Sequence, residues 1–308
     1  MKNKYFKKIM LIFLITALAL TLTACGNDQA QNEGQEIKNT AAEEELPEEI
    51  NFGILRVPND ETIAIAEGFF DKYFTERGIK INTRIFDSGV EANQALASGS
   101  IDFATMGNTN AITALARELN VELIWIHEVL GENEALAVKN GSGIEKVEDL
   151  VGKRIAVPFA STSHYILLNV LKEAGIEKDV QLLDMQTAEI VAAWERGDVQ
   201  AAYTWQPTLA QLLKSGYTLT DSSEMAEKGY ITANVEVVRK KFSEKYPELV
   251  ADFISALSEA GDIYRNNPKK AAEIAGNELG IETEVALHQM RGTTWKTREE
   301  LLSQDFFG

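Results

Sequence analysis

The chain has 308 residues, a formal net charge of −17, 45% hydrophobic residues and a single cysteine. So acidic a chain excludes nucleic acid as a partner, because binding to phosphate needs a basic face. One cysteine excludes an internal disulfide, so stability must come from an apolar core, for which the length is ample.

Residues 1–24 read as a lipoprotein signal peptide. Lys2, Lys4, Lys7 and Lys8 form a positive segment with no acid before Cys25, and Ile9 to Leu22 is nearly continuous apolar sequence. That run is short for a membrane span and well sized for the apolar part of a signal peptide. Leu22-Thr23-Ala24-Cys25 resembles the lipobox of bacterial lipoproteins, which implies cleavage before Cys25 and a diacylglycerol on its thiol. The other reading is an ordinary signal peptide with an incidental cysteine. Residues 26–50 hold eight acids and one lysine and have little to bury, so residues 25–49 are expected to be a flexible acidic tether. The body would then sit on the extracytoplasmic face of the cell membrane, or in a periplasm.

From Ile50 the pattern alternates strand and helix. Ile50, Phe52 and Ile54 alternate as a strand, and Pro58-Asn59-Asp60-Glu61 opens a helix through Ile63, Ile65, Phe69 and Phe70 to Gly78. Ile81, Thr83 and Ile85 form a second strand, ending in Phe86-Asp87-Ser88-Gly89. A helix with Ala92, Ala95 and Leu96 on one face then stops at Gly99. Ile101 to Thr105 is a third strand, Gly107-Asn108-Thr109 leads into the helix of Ile112 and Leu115, and Val121 to Val129 is a fourth strand. This alternation predicts a mostly parallel sheet covered by helices. Glu134 to Lys139 is extended, and the turn cluster Asn140-Gly141-Ser142-Gly143 is read as the crossing into a second lobe.

The second lobe repeats the pattern. Ile155 to Phe159 is a strand, Ser161-Thr162-Ser163 a helix start, and Ile166 to Leu171 the apolar side of that helix. Val180 to Leu183 is a strand, Thr187 caps a helix with Ile190, Val191 and Trp194, and Ala201 to Trp205 is another strand; Pro207 suits the first position of the next helix. Asn234 to Arg239 is read as the return crossing, and the remainder is helical, with Pro247 and Pro268 at helix starts. The expected division is 50–139 with 233–308 as the first lobe and 140–232 as the second. The fold class is α/β with two lobes, two crossovers and a small-molecule cleft between them.

Four polar segments recur where a strand ends and a helix begins: Asn59-Asp60, Ser88-Gly89, Asn108-Thr109 and Ser161-Thr162-Ser163. Ligands of open α/β sheets bind beyond the carboxyl ends of the strands, and a helix start offers unpaired N–H groups and partial positive charge to an anion. Taken singly, each segment reads first as a plain N-cap, and the binding reading rests on the convergence of all four. His127 and His288 are far apart with no ligand spacing, so no metal is expected. No cysteine nucleophile is left for the body if Cys25 is lipidated, no Ser-His-Asp order stands out, and Glu134 is the best acid candidate in the extended segment.

Phe86-Asp87-Ser88-Gly89, the run from Ile155 to Tyr165 and the run from Ala192 to Val199 resemble the taurine-binding protein family of ABC importers. Gly152-Lys153-Arg154, Glu134 to Val138 and Val237 to Lys240 fit the same family, and the likeness covers about residues 50 to 300. It implies a type II periplasmic-binding-protein fold, a monomer without cofactor, a taurine or aliphatic sulfonate ligand, and an ABC permease with its ATPase as partners. Residue by residue it implies Ser88, Gly89, Asn108 and Thr109 near the acid group, Thr162, Ser163 and His164 from the second lobe, and Trp205 as an aromatic wall. Trp205 is equally readable as sheet core, and His164 as a first-turn surface residue. Members that take taurine tend to carry carboxylates where Asn59 and Asn234 stand; here both are amides, which leaves the ligand's second end open. The alternatives are an alkanesulfonate without an amine, nitrate, a thiamine precursor, or an enzyme on the same fold.

Overall fold

The computed structural model describes residues 45–303; the expected signal peptide, Cys25 and most of the tether lie outside them. The body has two sheets. In the first, β1 (Glu49–Leu55), β2 (Lys80–Phe86) and β3 (Phe103–Gly107) run parallel, β4 (Val121–Leu130) follows, and the order is β11-β4-β10-β3-β1-β2. Here β10 is Ala233–Arg239 and β11 is the short pair Thr293–Thr294. The second sheet, in the order β7-β6-β8-β5-β9, is built from β5 (Glu134–Lys139), β6 (Arg154–Val157), β7 (Gln181–Asp184), β8 (Ala201–Trp205) and β9 (Gly216–Asp221).

The alternating apolar residues of β1 explain its place. Ile50, Phe52 and Ile54 all enter the core. The helix expected from Pro58 to Gly78 is divided into α1 (Asp60–Ala66), α2 (Phe69–Tyr73) and a short 3-10 turn, Thr75–Arg77. Gly68 makes the break, with φ of 68°, a left-handed conformation that a residue with a Cβ resists. Next come α3 (Gly89–Ser98) and α4 (Asn108–Ala116) in the first lobe, and α5 (Thr162–Glu173), α6 (Thr187–Arg196), α7 (Thr208–Leu212) and α8 (Ser222–Glu227) in the second.

The lobe boundaries differ from those read in the sequence. β5 pairs antiparallel with both β8 and β9, so it belongs wholly to the second sheet. The first crossing therefore occupies residues 131–133, and the Asn140-Gly141-Ser142-Gly143 cluster is a turn inside the second lobe. The return occupies residues 228–232, because β10 is already hydrogen-bonded between β3 and β4. Edge strand β9 escaped the sequence reading because its Gly-Tyr-Thr-Leu-Thr-Asp is polar and half exposed. Each crossing thus delivers an antiparallel strand into a mostly parallel sheet, and the short β11 adds a second antiparallel pairing on β4.

The C-terminal helices α9 (Lys240–Lys245), α10 (Pro247–Asn266), α11 (Pro268–Leu279), α12 (Thr283–Arg291) and α13 (Arg298–Leu301) pack on the first lobe. Phe253 of α10 centres that contact, stacking on Phe103 at 4.4 Å and on Phe70 at 5.0 Å and meeting Phe52 edge-on at 5.0 Å. Such pairs add to the burial of a large apolar side chain. Phe253→Ala should cost about 3–5 kcal/mol, because the three surrounding rings belong to separate elements and collapse poorly into the cavity. Urea unfolding of the full chain measures it; a loss under about 1 kcal/mol would show that the C-terminal helices add little to the core.

Candidate functional site

A cavity of about 250 Å³ lies between the lobes. The first lobe lines it with the turns after β1 (Leu55–Val57) and β2 (Phe86–Val90), with Gly107 and Asn110 at the start of α4, and with Asn234 of β10. The second lobe contributes Pro158–Thr162 after β6, Gln186 and Thr187 after β7, and Trp205–Thr208 after β8. Most of these are carboxyl ends of parallel strands, the place where the chain leaves a sheet and opens a helix. As a result α3, α5 and α6 start at the cavity wall. Their caps are ordinary: Ser88 Oγ accepts from Glu91 N at 3.4 Å, and Ser161 Oγ from His164 N at 3.1 Å.

The residues singled out in the sequence divide into two groups. Ser88, Gly89, Thr162, Trp205 and Asn234 line the cavity. The other five stand behind it. Asn59 is buried and caps α1 by accepting from Thr62 N at 3.1 Å. Asn108 reaches Ile231 O at 3.4 Å, and the buried Thr109 hydroxyl has no partner among the described residues. Ser163 donates to Glu134 at 2.7 Å. His164 stacks on the back of Phe159 with centroids 4.4 Å apart and accepts from Ala160 N, and its burial lowers its pKa.

The lobes touch across the cavity. Asn110 Nδ2 donates to Ala160 O at 2.9 Å, and a Cβ on Gly107 would lie 2.7 Å from Thr162 Cγ2. Gly107 is therefore required by close approach and not by its own backbone angles. The two connecting segments also run side by side, with Leu130 N donating to Thr232 O at 2.9 Å.

Glu134, the first residue of β5, is fully buried in the wall of the cavity. Its Oε1 accepts from Thr162 Oγ1 at 2.5 Å and Ser163 Oγ at 2.7 Å, and its Oε2 from Ser222 Oγ at 2.7 Å and Thr232 Oγ1 at 3.3 Å. Burial raises its pKa, and the four hydroxyls pull it back. The Thr162 and Ser163 hydroxyls are thus committed to a carboxylate of the protein. What the start of α5 still offers the cavity is backbone N–H. Sequence reasoning also missed Arg56, an exposed cation on the cavity wall, because it lies in a turn outside any motif.

A second buried polar cluster lies behind α1. His127 Nδ1 is 2.5 Å from Asp60 Oδ1, and its Nε2 is 3.1 Å from Glu236 Oε2; Trp125 Nε1 donates to Asp60 Oδ2 at 2.7 Å. Thr105 Oγ1 lies 2.5 Å from Glu61 Oε2 and 2.9 Å from Glu236 Oε2. One hydroxyl proton cannot serve two carboxylates. Burial raises the pKa of both Glu61, well above its usual value, and Glu236, so the two carboxylates around Thr105 hold a proton between them. Burial alone would depress the His127 pKa, but Asp60 and Glu236 outweigh it and hold the ring as a cation. Glu61, His127 and Glu236 offer ligand atoms within 4.8 Å of one another, a spacing compatible with a metal. The Thr105 hydroxyl sits among them, however, and this chain of protons accounts for its contacts. The sequence spacing of the histidines hid the cluster because its carboxylates come from α1 and β10.

Comparisons with known proteins give the family and the fold. The model of the family described as NMT1/THI5 like matches residues 63–271. The chain belongs to the NMT1/THI5-like family. It is 42% identical over 207 residues to the taurine-binding periplasmic protein of Escherichia coli K12, a match covering 67% of this chain and 63% of that protein. This match thus spans less than two thirds of the relative's length. The putative aliphatic sulfonates-binding protein of Bacillus subtilis 168 is 26% identical over 296 residues, covering 96% of this chain and 85% of that one. The fold is that of the crystal structure of the periplasmic aliphatic sulphonate binding protein SsuA from E. coli, with a TM-score of 0.70 at 24% identity over 82% of this chain and 86% of that one. The desulfurization enzyme DSZB shares the fold too, with a TM-score of 0.61 at 19% identity over 79% and 83% of the two chains.

One more buried carboxylate of this family member lies on β4, outside the lining of the main cavity. Glu128 accepts from Asn234 Nδ2 at 2.6 Å, and burial pushes its pKa from 4.5 to about 7. Between those two pH values the folded protein holds a proton that the unfolded chain has released, so stability falls as pH rises and the penalty is complete above pH 7. Glu128→Gln keeps an acceptor for Asn234 and removes the charge. The variant should be more stable than the wild type by about 2–3 kcal/mol at pH 8 and equal to it near pH 4. Urea midpoints at the two pH values check this, and an equal gain at both would show that Glu128 does not titrate in this window.

Proposed function

We propose that the protein is the lipid-anchored, extracytoplasmic solute-binding component of an ABC importer, and that it captures a small sulfonate of the taurine type. The observation that carries the reading is the cavity itself, which is small and lined by both lobes. Three helix starts meet at its wall, and Arg56 is among the residues that line it. A sulfonate stays ionised and has three acceptor oxygens, so it suits convergent N–H donors at the positive ends of α3 and α5. Arg56 adds a planar pair of donors, the geometry that matches an oxyanion best. On this reading Ser88, Gly89, Thr162, Trp205 and Asn234 face the ligand. Asn59, Asn108, Thr109, Ser163 and His164 support the wall from behind.

The paired crossings at 131–133 and 228–232 act as the hinge, and the Asn110–Ala160 bond together with the Gly107–Thr162 contact closes the lobes over the ligand. Closure would present both lobes to the permease, with the ATPase on its far side. The enzyme alternative finds little chemistry in this cavity. Among the described lining residues there is no cysteine or histidine, and the buried carboxylate among them, Glu134, is occupied by four hydroxyls.

Arg56→Ala should weaken sulfonate binding about tenfold to a hundredfold, since a hydrogen bond to a charged group contributes about 1.5–3 kcal/mol. Calorimetry of the full chain in mild detergent, with taurine, propane-1-sulfonate and nitrate, tests both the ligand class and the residue. Tight nitrate binding without sulfonate binding would replace the proposed ligand, and an unchanged affinity in Arg56→Ala would remove Arg56 from the site. For the anchor, Cys25→Ser should release the protein from membranes or leave its leader uncut. Normal cleavage with full membrane retention would overturn lipidation.

A further inference from the structure

We propose that Glu128 forms a cation subsite at the side of the cleft, built to take the ammonium of an aminosulfonate, so that the chain selects zwitterions over plain alkanesulfonates. The inference rests on the sulfonate reading above and adds the chemistry of the ligand's second end.

The strand register places Glu128 there. Asn234 of β10 is opposite Glu128 of β4, and the next residue, Val235, is opposite Ile126, so His127 has no partner across the ladder. A bulge of this kind re-aims neighbouring side chains. His127 and Glu128 are consecutive, yet both are buried, at 1% and 4% exposure. His127 turns into the proton chain with Asp60 and Glu236. Glu128 turns instead to a small side cavity of about 20 Å³, lined by Val57, Pro58, Glu128, Asn133, Gln289 and Thr293. Val57 and Asn133 line the main cavity as well, so the two spaces adjoin. A space this size accommodates one water-sized group, which is also the size of an ammonium.

The carboxylate is half used. Its Oε1 accepts from Asn234, while Oε2 is buried with no hydrogen-bond partner among the described residues. Leaving a buried carboxylate oxygen bare is costly, and an ammonium relieves that cost with charge and donors together. Asn234 faces the cleft and holds the carboxylate in place from behind. The negative charge for the ligand's amine therefore comes from β4, one strand over from the amide. The charged or polar groups facing Glu128 are few. They are His127 on its own strand, Asp60 from α1, Asn234 from β10, Gln289 from α12, Asn133 from the crossing and Thr293 from β11. Asp60 disfavours the charge, while His127 and the Asn234 bond favour it, but the His127 cation is already shared by Asp60 and Glu236. With a pKa of about 7, Glu128 is partly protonated in the free protein. An arriving ammonium favours the ionised form, so binding should release a proton, and affinity for the aminosulfonate should rise with pH up to about 7 and then level off.

The test uses the full chain in mild detergent and two ligands that share the sulfonate: taurine, and propane-1-sulfonate, in which a methyl replaces the ammonium. Calorimetry at pH 6 in two buffers of different ionisation enthalpy counts the protons. The wild type should release protons with taurine and not with propane-1-sulfonate. Glu128→Gln should abolish that release and lower the taurine to propane-1-sulfonate affinity ratio about tenfold to a hundredfold. Retained propane-1-sulfonate binding in the variant serves as proof of its fold. If both sulfonates bind and Glu128→Gln leaves their ratio unchanged, the side cavity holds only a water bridging Glu128 and Gln289, and the subsite is overturned while the sulfonate reading stands. If neither sulfonate binds, the sulfonate reading fails and takes this inference with it.

Discussion

Everything at the junction of the two lobes depends on the buried carboxylate of Glu134. It is the first residue after the crossing, and its two oxygens gather four hydroxyls from three places: the start of α5, the start of α8 and the return segment at Thr232. A carboxylate with no exposure is tolerated only when its lone pairs are met, and here each oxygen has two donors. The arrangement fixes the first turn of α5 against the crossing to within hydrogen-bond tolerance, and that turn is the wall the second lobe shows to the cavity. Tyr203 extends the group, its hydroxyl 3.2 Å from Ser222 Oγ, and burial near this carboxylate raises the Tyr203 pKa well above its usual value.

The first lobe solves the matching problem with protons where the second uses hydroxyls. One imidazolium, one neutral acid and one threonine allow Asp60, Glu61 and Glu236 to share a dry space without three uncompensated charges. The members come from α1, β3, β4 and β10, so the network also fixes where α1 begins relative to the sheet. Buried polar groups of this kind contribute little net stability but penalise any packing that separates them. The cavity is thus flanked by two buried polar groups, and the four hydroxyls on Glu134 satisfy the one in the second lobe.

Much of the frame was legible because it follows from local rules. Ile50, Phe52 and Ile54 announce a strand by alternation, and Ser88, Ser161 and Gly99 announce helix ends by their caps. The convergence of strand ends on a cleft follows from the parallel sheet. Other features had no local signal. The turn at Asn140 to Gly143 was taken for a crossing because a glycine-rich cluster reads the same inside a lobe as between lobes; only the pairing of β5 with β8 and β9 decides it. The hydroxyls of Thr162 and Ser163 looked like ligand donors because nothing near them in the chain reveals that Glu134, 28 positions earlier, uses them first. His127 looked isolated because its partners lie 67 and 109 residues away. Arg56 belongs to no motif and is placed at the cleft by the tertiary fold alone.

The position of β10 has a consequence for the order in which the protein can assemble. It lies between β3 and β4, yet nearly a whole lobe is inserted in the chain between β4 and β10. Until residue 233 and beyond have emerged, β3 and β4 have no strand to join them, and each presents an open edge. The first lobe is therefore begun first and completed last. The second lobe, whose strands are contiguous in sequence from β5 to β9, has all its sheet partners before the first is whole. A chain that leaves the cell unfolded and amino end first would pass through a stage with one finished lobe and one split sheet, and the arrival of Ala233–Arg239 ends that stage.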